Sequence, residues 1–74
     1  MPLYDIKAEI SGTILSLDAS VGDSVDIDDQ ILTIESMKME IPISSPRRGR
    51  ITAFLVSERQ SVQEGQTLAT LEIA

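Results

Sequence analysis

Short runs of branched apolar residues, separated by polar clusters, recur along the whole chain. The pattern predicts strands at about Leu3 to Ile10, Gly12 to Leu17, around Val25, Ile31 to Ser36, Met39 to Ser44, Gly49 to Val56, around Val62, and Thr67 to Ile73. Between them lie turn clusters such as Ala19-Ser20-Val21-Gly22-Asp23 and Ser57-Glu58-Arg59-Gln60. Roughly eight short strands with closely spaced turn signals read as an all-β sandwich or barrel. No stretch carries a helical period of apolar residues.

One hairpin stands out. Ile31-Leu32-Thr33-Ile34 and Ile41-Pro42-Ile43 flank Glu35-Ser36-Met37-Lys38-Met39-Glu40, which places Lys38 at or beside a hairpin tip. Met39, Ile41 and Ile43 alternate with Glu40, Pro42 and Ser44, the mark of a half-buried strand. Pro42 has no N–H to give a ladder, so its position faces an unpaired side. Pro46, with Ser44 and Ser45, marks the turn that follows. A polar turn often carries a lysine, and methionines often fill gaps in a core. The rest of the chain decides between that plain reading and a functional one.

The second half copies the first at an offset of 37 residues, without a gap, as from Gly12 to Gly49. Ile14, Ser20, Ser24, Val25, Thr33 and Glu35 likewise match Ile51, Ser57, Ser61, Val62, Thr70 and Glu72. Leu17, Ile31 and Ile34 correspond to Phe54, Leu68 and Leu71. A solenoid needs at least three copies, so two copies point to a pseudo-twofold domain made of similar halves.

Composition narrows the chemistry. The chain has 74 residues, enough for a single domain. It has no cysteine and no histidine. That leaves no disulfide, argues against structural zinc, and removes Cys-His and Ser-His-Asp nucleophile systems. No catalytic residue and no metal ligand is nominated. The core must come from Ile, Leu and Val, because Tyr4 and Phe54 are the only aromatics. A formal net charge of −6 argues against a nucleic-acid partner. Arg47, Arg48 and Arg50 form the one local basic cluster, read as a solvated loop near a turn. No apolar run approaches the roughly 20 residues that span a bilayer. Met1 to Asp5 lacks the basic start and apolar stretch of a signal peptide. The expectation is a cytoplasmic protein without a membrane partner.

Taken in order and spacing, Val21 to Val25, Ile31 to Glu40, Pro46 to Gly49 and Val62 to Gln66 resemble the biotinyl/lipoyl attachment domain family across nearly the whole chain. By size, and by Glu-Ser-Met-Lys-Met-Glu-Ile-Pro, it looks like the free-standing attachment proteins. The resemblance implies one domain over residues 1–74. It implies a flattened barrel of two four-stranded antiparallel sheets with a pseudo-dyad, displaying a modified lysine on a tight hairpin turn. It further implies covalent biotin on Lys38, placed there by a biotin protein ligase. Met37 and Met39 would be flanking recognition residues, with Ser36, Glu35 and Glu40 around them. The domain would then carry carboxybiotin between the biotin carboxylase and carboxyltransferase of a biotin-dependent, acyl-CoA-type carboxylase, without catalysing by itself.

Two positions depart from the family pattern. Asp28 stands where the second copy has Gly65, and Arg59 stands where the first has Gly22. Arginine takes the left-handed conformation poorly, so the turn at Arg59 is expected to differ from its counterpart. The rival readings are a lipoyl carrier, a dual biotin/lipoyl attachment protein and an unmodified interaction module. Lipoyl domains typically show Asp-Lys-Ala at the turn. Met37 and Met39 occupy those flanking positions here, which favours biotin.

Overall fold

The computed structural model describes residues 2–73. Eight strands follow one another: β1 Leu3–Lys7, β2 Gly12–Leu17, β3 Ser24–Val25, β4 Gln30–Ser36, β5 Met39–Ser44, β6 Gly49–Phe54, β7 Ser61–Val62 and β8 Thr67–Ile73. There is no helix among the described residues. The strands form two antiparallel four-stranded sheets, ordered β1-β8-β6-β3 and β5-β4-β2-β7. The all-β two-sheet architecture expected from the strand pattern and the resemblance is therefore observed.

The core lies between the sheets and is aliphatic. Ile14, Ile31, Leu32, Ile34, Leu68 and Leu71 are wholly buried, with Ile51 nearly so. Ile14 and Ile51, Ile31 and Leu68, and Ile34 and Leu71 are repeat partners. The duplication thus supplies both halves of one core. It also extends to β1 and β5, where Ile6 and Ile43 occupy matching buried places.

Main-chain bonds repeat at the same offset. Gly22 N–H donates to the Ile51 carbonyl, and Arg59 N–H donates to that of Ile14, both at 2.7 Å. Ile51 N–H donates to the Asp23 carbonyl at 3.0 Å, and Ile14 N–H to the Gln60 carbonyl at 2.9 Å. Asp28 N–H donates to Ser45 O and Gly65 N–H to Ala8 O, both at 2.8 Å. Turn side chains match as well. Asp23 and Gln60 accept from the amides of Ser20 and Ser57, at 2.9 and 3.0 Å.

Three expectations need correction. The turn at Arg59 does not differ from its counterpart: Arg59 has φ 73° and Gly22 φ 96°, both left-handed, with the same bond to the opposite half. Tertiary hydrogen bonding overrides the residue's own preference there. The first strand stops at Lys7, not Ile10, because Ala8 turns its N–H and carbonyl to Gln66 and Gly65 in the turn before β8. The sixth strand stops at Phe54, not Val56; Leu55 N–H still reaches the Leu68 carbonyl at 2.9 Å.

The arginine cluster is dispersed and exposed. Arg48 pairs with Asp26 at 2.7 Å and Arg50 with Glu72 at 3.2 Å. The Arg47 guanidinium stands 5.6 Å from the centre of the Tyr4 ring. On the other sheet, the Asp18 carboxylate ties β2 to β4. Burial pushes its pKa up, but hydrogen bonds from Gln30, Thr33 and Ser16, each at 2.8 Å, outweigh that and hold the carboxyl below its ordinary value.

Gly12 and Gly49 mark the tightest approach in each half. A Cβ on Gly12 would lie 2.5 Å from the carbonyl oxygen of Glu35, and one on Gly49 would meet that of Glu72. Neither obstacle is a flexible side-chain end, so the strands would have to part. Gly12→Ala and Gly49→Ala are each expected to cost about 1–3 kcal/mol, as overpacking does. A urea titration checks this: the midpoint should fall with the slope unchanged. A wild-type midpoint in either variant would contradict the packing argument.

Candidate functional site

The β4–β5 hairpin builds the site. β4 is anchored by Ile31, Leu32 and Ile34, all wholly buried. β5 pairs with it from Gln30↔Ser44 through Leu32↔Ile43, Thr33↔Pro42, Ile34↔Ile41 and Glu35↔Glu40 to Ser36↔Met39. β5 is an edge strand, which is where Pro42 is tolerated. Two residues remain to join the strands, Met37 and Lys38, with φ 52° and 65°. Positive φ at both central positions of a two-residue loop defines a type I′ turn, whose twist suits a hairpin. Such turns favour Asn-Gly or Gly-Gly. Here two long side chains hold the left-handed conformation, at a cost on the order of 1–2 kcal/mol each.

Lys38 therefore stands at the tip, exposed, as the hairpin pattern predicted. Met37 is 91% exposed and Met39 65%. The inward alternation of β5 holds at Ile43, weakens at half-buried Ile41 and is lost at Met39. The hairpin outruns the core, so its inner face meets solvent near the tip. Met39 is not packed core filler but, with Met37, apolar surface beside the amine. Ser36 closes the ladder opposite Met39.

Glu35 and Glu40 face each other directly and are both exposed. Like charges opposite one another weaken a sheet. The repeat partner of Glu35 is placed differently: Glu72 sits opposite Arg50 and is ion-paired with it. The structure thus brings all six singled-out residues, Glu35 to Glu40, onto one hairpin end. The left-handed strain at Met37 and Lys38 had no signal in the residue types and emerges only from the backbone.

Chemically, the arrangement offers one primary amine on a long flexible arm, held away from the main chain by a rigid turn. The chain belongs to the biotin/lipoyl attachment family: the family model described as "Biotin-requiring enzyme" matches residues 5–71. Among curated relatives, the "Biotinylated protein TB7.3 homolog" of Mycobacterium leprae is 34% identical over 67 residues, covering 90% of this chain and 94% of that protein. The "Biotin carboxyl carrier protein" of Streptococcus mutans is 38% identical over 66 residues, covering 89% of this chain and 51% of that protein. Among solved structures, a single-chain, multi-domain long-chain acyl-CoA carboxylase contains a segment that superposes on 97% of this chain with a TM-score of 0.91 and 25% identity, and that segment is 7% of its length.

The turn's strain is testable without touching the amine. Asparagine adopts the left-handed conformation more readily than methionine. Met37→Asn is expected to raise stability by roughly 0.5–1 kcal/mol, a fraction of the left-handed cost. The denaturation midpoint reads it out, and a lowered midpoint would show that Met37 stabilises the tip by packing.

Proposed function

We propose that this chain is a biotin carboxyl carrier domain whose point of attachment is Lys38. The observation that carries the reading is the exposed lysine at the apex of a two-residue left-handed turn, between two exposed methionines. The family match and the streptococcal carrier protein support the choice of biotin. The acyl-CoA carboxylase that contains a segment of the same fold supports a carboxylase as the setting.

A covalently attached cofactor asks little of its carrier: a nucleophilic amine clear of the main chain, in a fixed place. Lys38 meets that demand. Forming the amide releases a proton from the attacking amine, which a biotin protein ligase has to take. The Lys38 Nζ then attacks an activated biotinyl carbonyl carbon; the new C–N bond forms and the activating phosphate group leaves. A turn with few conformations lowers the ordering cost of that encounter. Met37 and Met39 give the ligase apolar, polarizable surface to grip. Once bound, biotin supplies a ring nitrogen that holds a carboxyl group in transit between a biotin carboxylase and a carboxyltransferase. The domain contributes presentation and reach, and tethering keeps the group at high effective concentration near both enzymes.

Lys7 is the only other lysine, an outward charge on β1. Incubation with a biotin ligase, biotin and ATP should add one biotinyl mass to the wild type and to Lys7→Arg, and none to Lys38→Arg. Fragmentation of the labelled chain should place the mass on Lys38. Persistent labelling of the Lys38→Arg variant would sink the assignment.

Mixed with ATP, bicarbonate and an acyl-CoA, the biotinylated domain alone should give no turnover. Addition of biotin carboxylase and carboxyltransferase subunits should give carboxylated product, read by incorporation of labelled bicarbonate. Turnover without those subunits would show that the domain is itself an enzyme.

A further inference from the structure

The described residues give the two sheets four edges, and three are blunted. β3 and β7 are two residues long, and β5 carries Pro42. Short strands and proline are the usual devices against edge-to-edge pairing. The β1 edge has neither, and is guarded only by the charges of Asp5 and Lys7 and the bulge before Lys7. It runs five residues, Leu3 to Lys7, with Leu3 62% and Tyr4 36% exposed. Beside it lies an open groove of about 520 Å³, lined by Tyr4, Ile6 and Ala8 from one side and by Ile43, Ser44 and Pro46 from the other.

The free hydrogen-bonding groups of this edge follow from the bonds already made. The Pro2 carbonyl accepts from Ile73 N–H at 3.0 Å, and Ala8 both donates to Gln66 and accepts from Gly65 at 2.8 Å. Even-numbered residues therefore turn their main chain toward β8. The bulge between Ile6 and Lys7 skips a residue on β8, from Ala69 to Thr67, so the alternation along β1 is unbroken. Leu3, Asp5 and Lys7 are left with N–H and C=O directed at the open edge, and their side chains stand on the exposed face.

We infer that this edge is a self-association surface: two copies pair their β1 strands antiparallel about Ile6, so that Asp5 of each faces Lys7 of the other. In that register the facing residues both direct their main chain at the edge, and each Asp5–Lys7 pair exchanges two hydrogen bonds. Opposite charges then stand across the new ladder, which favours it. A register about Asp5 would set two carboxylates against each other. The interface is isologous, the same patch on both copies. It is also small, and each chain has a formal net charge of −6, which opposes association. Exposed ion pairs add only about 0.2–1 kcal/mol each. The dimer is accordingly a weak one, formed at roughly 0.1–1 mM chain, as for small interfaces.

Sedimentation equilibrium in about 0.15 M salt, a physiological ionic strength, tests this. The weight-average mass should equal the 8.1 kDa monomer at low concentration and rise toward twice that near the millimolar range. Asp5→Lys sets lysine against lysine and Lys7→Asp sets aspartate against aspartate, so each single change should abolish the rise. The double swap, Asp5→Lys with Lys7→Asp, should restore it. Circular dichroism confirms that each variant is folded. In the wild type, concentration-dependent amide shifts should centre on Leu3 to Lys7. A monomer throughout, or a rise untouched by the single changes, overturns the inference. Loss without recovery in the double swap overturns the register about Ile6. None of these readouts depends on Lys38 or its modification.

Discussion

Neither half of this chain owns a sheet. β1 and β3 come from the first copy of the repeat and join β8 and β6 from the second, while β2 and β4 join β7 and β5. Each copy sends its short third strand across to the other's second strand: β3 pairs with β6 and β7 with β2. The bonds from Gly22 to Ile51 and from Arg59 to Ile14 stitch the same crossings. Half a chain would have unpaired strands and half a core, so the domain forms as a whole. The close approaches at Gly12 and Gly49 lie within each copy, beside the exchange: Gly12 abuts Glu35 and Gly49 abuts Glu72. The second strand of each copy carries the crossing strand on one side and lies tight against the fourth strand on the other.

The exchange also explains how far the residues alone reveal the backbone. Alternating apolar positions and the duplication made the eight strands, the aliphatic core and the lysine hairpin legible, because burial of one face dictates which residues sit there. Positive φ was legible only where glycine signalled it. Asp28 and Arg59 adopt φ 75° and 73° because their partners' sites do, each held by an amide bonded to the opposite half. Position in the repeat predicts those turns better than residue type does. Strand ends were misplaced at Ile10 and Val56 for a related reason. Apolar residues continue past the ladder into the connecting segments, where Val56 and Ala8 are still buried.

The site shows the same division. Lys38 at the tip follows from sequence symmetry about the turn. The strain at Met37 and Lys38 follows from a loop only two residues long, and nothing in Met-Lys announces it. Two left-handed residues persist there because β4, with its buried Ile31, Leu32 and Ile34, fixes one arm, and the ladder to Ser36↔Met39 fixes the other. Strain of this kind persists only where the surrounding structure over-determines it, as the two anchored arms do here.

This support separates two properties that a carrier needs at once. Accuracy belongs to the backbone: the hairpin places the Lys38 Cα in one spot relative to the aliphatic core. Reach belongs to the side chain, whose rotatable bonds extend beyond the exposed turn. A longer loop at the tip would blur the first without adding much to the second. Packing the Lys38 stem on the barrel would keep the first and lose the second. A strained two-residue turn bearing a solvated lysine meets both demands, and the methionines on either side add exposed apolar surface. The like-charged pair Glu35 and Glu40 is tolerated for the same reason. The hairpin end projects past the core into water, whose high dielectric holds their repulsion to about 1 kcal/mol.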